Sequence, residues 1–110
     1  MKNETFSLAA ENTPIPGCTV SGEVMRNAFV FSLSAGTDIS REQYPAHKLW
    51  MALQGEMTIL ADSRLPFRAG DIYITPTDIP VGIKAETDSV YVEILPGEKA
   101  PRKENDASLH

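Results

Sequence analysis

Two stretches decide the reading of this chain: residues 36–55, GTDISREQYPAHKLWMALQG, and residues 70–81, GDIYITPTDIPV. Fourteen residues, EMTILADSRLPFRA, join them. Each block opens on a glycine, the residue that accepts positive φ where an extended chain reverses. The decisive ambiguity is AHKLWMALQ at 46–54. Lys, Leu, Met, Ala and Gln favour a helix. The run is short, however, stops at Gly55, and is apolar on every side from Leu49 to Leu53, which also fits a strand buried on both faces.

Its neighbours decide for strand. Residues 56–61, 71–75, 80–86 and 89–94 all read as strands, separated by Asp62-Ser63, Ala69-Gly70, Pro76-Thr77-Asp78 and Thr87-Asp88. Upstream, 28–34 (AFVFSLS) places Phe29, Phe31 and Leu33 on one face and Val30, Ser32 and Ser34 on the other. Residues 18–25 are β-compatible, with a turn at Arg26-Asn27, and Gly22 marks a bulge or close approach. Ala35 to Asp38 turns the chain. Pro66 confines its segment to a sheet edge. Val90, Val92 and Ile94 are read as a core face, with Tyr91 and Glu93 turned away. Short strands at regular spacing with turn chemistry between them give an all-β sandwich or barrel. Residues 1–17 form an N-terminal arm without regular structure, 18–95 the barrel domain, and 96–110 a polar tail expected to be disordered.

Composition narrows the function classes. The 110 residues carry ten Lys and Arg against fifteen Asp and Glu, a net charge of -5. This acidity disfavours nucleic acid as a partner. No stretch approaches the roughly twenty apolar residues of a membrane span, and the first residues lack the apolar run of a signal peptide. A soluble, cytoplasmic protein is expected. The single cysteine, Cys18, excludes an intramolecular disulfide and a Cys-rich zinc site, and is read as a small buried residue.

Residues 28–94 resemble a single-domain cupin, an all-β double-stranded β-helix or jelly-roll barrel. The family's first motif runs Gly, five residues, His, one residue, His, three or four residues, Glu, six residues, Gly. Gly36, Glu42, Tyr44, Lys48 and Gly55 stand at those spacings. The second runs Gly, five residues, Pro, one residue, Gly, two residues, His, matched by Gly70, Pro76, Asp78 and Val81. The phrases LQGEMTIL and RAGDIYITP are characteristic of the family. The resemblance implies the fold and a pairing of chains as homodimers.

In the family, two histidines, a glutamate and a third histidine hold a divalent metal. Here those positions are Glu42, Tyr44, Lys48 and Val81. Glu42 can ligate, Tyr44 only after losing a proton, Lys48 only when neutral, and Val81 has no donor atom. No metal and no other cofactor is therefore expected. His47 is offset by one residue from the Glu position and falls on the opposite face of a regular strand. It reads as a surface or interface residue, or, given a bulge, as a ligand of an irregular metal site with Glu42. His110 ends the tail.

The pocket expected from this reading comprises Glu42, Tyr44, Lys48, Trp50, Asp78 and Val81. Alternation puts Lys48, Trp50 and Ala52 on the inward face. A buried lysine needs a partner, and Glu42 is the expected one, with the Tyr44 hydroxyl beside it. Lys48 would then stand where relatives hold a metal. Trp50 reads as core or as a stacking platform, and Asp78 as a turn residue or an acceptor for a ligand hydroxyl. Leu49, Met51 and Leu53 form a second apolar face that must meet another layer, the N-terminal arm or another subunit.

Four functions fit: a small-molecule binding barrel, a metal-independent isomerase, epimerase or lyase acting on a sugar or small acid, a metal-dependent dioxygenase, and an interaction scaffold. The first accounts for the mixed polar and aromatic interior most directly.

Overall fold

The computed structural model describes residues 3–97, so most of the expected C-terminal tail, with His110, lies outside the described residues. The chain forms α1 (Leu8–Glu11) and nine strands: β1 (Thr19–Met25), β2 (Ala28–Leu33), β3 (Asp38–Glu42), β4 (Leu49–Gln54), β5 (Glu56–Leu60), β6 (Arg64–Arg68), β7 (Ile72–Ile74), β8 (Val81–Ala85) and β9 (Ser89–Ile94). The run 49–54 is a strand, despite its helix-favouring composition. It is paired on both sides, with β9 and with β7, and those ladders outweigh a propensity worth only tenths of a kcal/mol per residue. The arm is not wholly irregular: α1 is a single helical turn whose first N–H groups are met by Ser7, its Oγ accepting from Ala10 N–H.

The strands make two antiparallel sheets, ordered β1-β2-β9-β4-β7 and β3-β8-β5-β6. From β3 onward the chain passes repeatedly between the sheets, the winding of a double-stranded β-helix. The hairpin between β1 and β2 turns at Arg26-Asn27, with Asn27 at φ 71°. Gly55, at φ 85°, carries the chain from β4 into β5 and so from one sheet to the other. Pro66 sits on β6, the edge strand of the second sheet, opposite Thr58, where its missing N–H breaks no ladder.

The core between the sheets is built from Leu33, Trp50, Ala52, Met57, Ile59, Phe67, Val81, Ile83, Ala85 and Tyr91. The orientation read for β9 is corrected here. Tyr91 and Glu93 point into the barrel, among the rings of Phe31 and Trp50. Val90 and Val92 are buried on the opposite face. Alternation alone could not say which face was inner, because both are covered. The arm supplies part of the outer cover: α1 lies against β4, and Gly17 N–H donates to Ser34 Oγ at 2.8 Å, Ser34 sharing the parity of Val30 and Ser32. Cys18 is exposed, not buried, since it lies just before β1, an outer strand of its sheet.

Candidate functional site

The inner face of the five-stranded sheet carries two rows of side chains. Near the end where β4 begins, the register aligns Phe29, Glu93, Trp50 and Tyr73 across β2, β9, β4 and β7. The next row inward aligns Phe31, Tyr91 and Ala52. The rings touch one another: Phe31 stacks on Tyr91 at 5.0 Å, and Trp50 lies 5.6 Å from Tyr91, 5.7 Å from Tyr73 and 6.4 Å, edge-on, from Tyr44. Phe67 meets Tyr91 from the facing sheet at 6.3 Å. These rings fill the interior.

Into this apolar cluster the chain inserts a carboxylate. Glu93 is buried, and its Oε1 accepts a hydrogen bond from Trp50 Nε1–H at 3.0 Å. The same oxygen lies 3.5 Å from Lys48 Nζ, the Lys48 side chain being 21% exposed and that of Glu93 10%. The ammonium also sits 3.8 Å from the centroid of the Tyr44 ring, a cation–π contact. A buried carboxylate persists when it is paired and hydrogen-bonded, and Glu93 has both. It anchors the site, although it belongs to neither motif. The sequence signal available was the single acidic residue in SVYVEI, a run otherwise apolar beyond Ser89.

The loops at this end are tied together. Lys48 N–H donates to Thr75 Oγ1 at 2.8 Å, and Thr75 N–H returns a bond to Lys48 C=O at 2.9 Å. Gln43 Nε2 donates to Thr77 C=O at 3.1 Å. His47 is exposed, with Nδ1 2.7 Å from Thr75 C=O. A carbonyl only accepts, so Nδ1 carries the proton there.

The structure brings together Tyr44, Lys48 and Trp50 from the expected pocket and adds Glu93 and Tyr91. Val81 is fully buried and belongs to the core cluster. Asp78 is exposed in the loop before β8. Glu42 does not partner Lys48. It is exposed at the end of β3, where the β3–β8 register shifts before it pairs with Val81. The shift leaves Glu42 opposite the core residue Val81 but at an exposed position on the rim, and Glu93, not Glu42, meets the lysine.

All three tyrosines hold their protons above the ordinary range. Tyr44 is pushed up by burial, then by the charges of Glu42 and Glu93. Tyr73 is pushed up by burial, then by Asp62. Tyr91 is pushed up furthest, by burial, then by Glu93 and Tyr44. Near neutral pH these are uncharged hydroxyls.

The four positions that hold a metal in cupins do not fit one here. One is filled by an ammonium, one by a valine and one by a tyrosine whose ionisation is disfavoured, which leaves the exposed Glu42 as the one ready ligand of the four. Among the described residues no three His, Cys, Asp or Glu side chains gather as a metal-binding group, and no helix is long and apolar enough to cross a membrane.

No family model and no curated protein matches the chain. Solved structures do. A conserved protein of unknown function from Streptococcus pyogenes is similar at 23% identity, covering 89% of this chain and 92% of that one, with a TM-score of 0.75. A cupin superfamily protein from Desulfitobacterium hafniense is similar at 18% identity, covering 87% and 94%, also at 0.75. A conserved protein with a double-stranded β-helix domain from Klebsiella pneumoniae is similar at 20% identity, covering 84% and 89%, at 0.70. The fold is that of a small cupin.

Proposed function

We propose that this cupin-fold chain binds a small molecule at the barrel end marked by Lys48, without a metal. One observation carries the reading. A protein cation, Lys48 Nζ, sits at a family metal-ligand position and is held there by Glu93 at 3.5 Å and the Tyr44 ring at 3.8 Å. A few convergent polar groups beside aromatic side chains are the features that orient a small ligand. The adjoining loops, tied through Thr75 and Thr77, set its geometry.

A second reading, an interaction scaffold, is favoured by the ring-filled interior, where Trp50 and Tyr91 are each 2% exposed. A metal-independent enzyme would use the same Lys48, Glu93 and tyrosine groups as acid and base. The homodimer is part of the proposal. Ile94, Leu49 and Ile74 are adjacent across β9, β4 and β7, with Ile72 beside them on β7. Ile72, Ile74 and Ile94 are exposed, at 58%, 52% and 39%, an apolar row that a second copy would cover. A cytoplasmic location agrees with an exposed free thiol at Cys18.

A native mass spectrum of protein purified without chelator tests all of this together. The expected result is a dimer that retains an organic mass and no stoichiometric divalent metal. A spectrum of protein alone, unchanged by a small-molecule library, favours the scaffold. A stoichiometric metal contradicts the metal-free site.

A further inference from the structure

The outer face of the five-stranded sheet is roofed along only part of its length. The arm reaches Ser34, beyond the end of β2, through the Gly17 bond, and α1 lies against β4. Cover falls away from there along β9, the central strand. Its outward side chains Val90, Val92 and Ile94 are 0%, 6% and 39% exposed. The strand register carries the uncovered end across the whole sheet. Met25, Ala28, Ile94, Leu49 and Ile74 stand in one row from β1 to β7. Met25 joins the row because the register of β1 shifts between Glu23 and Met25, and a bulge re-aims a side chain in this way. Met25 is 65% exposed and Ile74 52%.

Apolar exposure alone does not name an occupant; charge does. This row and the next, Gly22, Val30, Val92, Met51 and Ile72, hold no charged residue. The outer face of the other sheet is built differently, with Asp38 beside Lys84 and Glu56 beside Arg68. Two copies with a net charge of -5 each repel one another. The uncharged face is where they meet with no charge to desolvate. A partner bringing charged groups there finds no counter-charge. Residues 98–110, EKAPRKENDASLH, follow β9 at this end of the sheet, but they carry six charged residues and one large apolar residue, Leu109. That composition does not suit the row. A second copy offers the same apolar row, the self-complementary patch of a two-fold pair. Extent sets the strength of the pairing. Five strands about 4.8 Å apart make the row roughly 20 Å wide, and two such rows fall short of the about 800 Å² per partner of a standard interface.

Resting on the homodimer proposed above and not on the ligand, we infer that a second copy of this chain packs its outer face against the part that the arm leaves uncovered, with the row from Met25 to Ile74 at the contact and the arm as its limit. The pair is weak and dissociates in the micromolar range.

Sedimentation velocity of the full chain at rising micromolar concentration tests this. Wild type is expected to pass from monomer to dimer. Ile94→Lys, at the centre of the row, and Met25→Lys, at its β1 end, are each expected to raise the dissociation constant about tenfold or more, since each places an unpaired charge in the contact. Arg64→Gln, on the charged face, leaves it unchanged. If circular dichroism shows that Ile94→Lys fails to fold, Ile74→Lys, at a position more than half exposed, takes its place. A dimer that survives both lysine variants overturns the inference and leaves the homodimer standing on another surface. A dimer lost in Ile94→Lys and kept in Met25→Lys overturns the full-width contact and confines the pairing to β9, β4 and β7. A wild type that stays monomeric, its row covered by residues 98–110 or by nothing, removes the inference and the homodimer together and leaves the ligand reading to the mass spectrum.

Discussion

Trp50→Ala is expected to destabilise the fold by about 3–5 kcal/mol, the range for truncating a fully buried aromatic side chain. Trp50 is 2% exposed and touches the rings of Tyr44, Tyr73 and Tyr91. Its loss opens a cavity where β4, β7 and β9 meet the interior. It also removes the indole N–H from Glu93, leaving that buried carboxylate with Lys48 alone. A domain of this size has a total stability of about 5–15 kcal/mol, so the variant should stand near the limit of folding. Urea denaturation followed by circular dichroism measures the loss. A change below about 1 kcal/mol would mean that the ring cluster is not the core of the barrel.

Gly55→Ala is expected to cost about 2–5 kcal/mol, and Gly36→Ala much less. Both glycines have positive φ, 85° and 88°, a strain of about 1–2 kcal/mol for any other residue. Their surroundings differ. A Cβ at Gly36 meets nothing within 4 Å. A Cβ at Gly55 would come 2.3 Å from Asp88 C=O and 2.9 Å from Ser89 Cα, backbone that cannot step aside, adding an overpacking cost of about 1–3 kcal/mol. The crossing from β4 to β5 is pressed against the turn into β9, and no side chain fits between. Comparing the two variants in the same denaturation experiment separates torsional strain from steric contact. Equal losses would show that the close approach of Gly55 to Asp88 and Ser89 is absent.

The architecture was legible because turns and frame residues carry it. Gly36, Gly55 and Gly70 fall where the chain needs positive φ, and the strands around them read from alternation. β3 does not read as a strand from sequence, since DISRE is polar and largely exposed. Nothing in its pattern distinguishes it from a loop until Asp38 and Ile39 pair with Lys84 and Ile83.

The site was legible in part. Tyr44, Lys48 and Trp50 came from motif spacing and the inward parity of β4. The counter-ion did not, because motif positions direct attention to Glu42, whereas Glu93 comes from a distant strand with no motif. Its inward direction depends on which face of β9 is inner, and burial on both faces hides that. A single acidic residue in a strand otherwise apolar beyond its first position is a physical signal in its own right, since a carboxylate there must find a partner.

The central claim is that Lys48 is anchored by Glu93 and not by Glu42. Two double-mutant cycles measure this, one combining Lys48→Met with Glu93→Gln and the other combining Lys48→Met with Glu42→Gln, each read as stability in urea. Contacting charged groups couple by about 0.5–3 kcal/mol, and separated ones add within a few tenths. The structure predicts coupling of about 1–3 kcal/mol for Lys48 with Glu93 and additivity for Lys48 with Glu42. Coupling to Glu42 that equals or exceeds coupling to Glu93 would contradict the site described here.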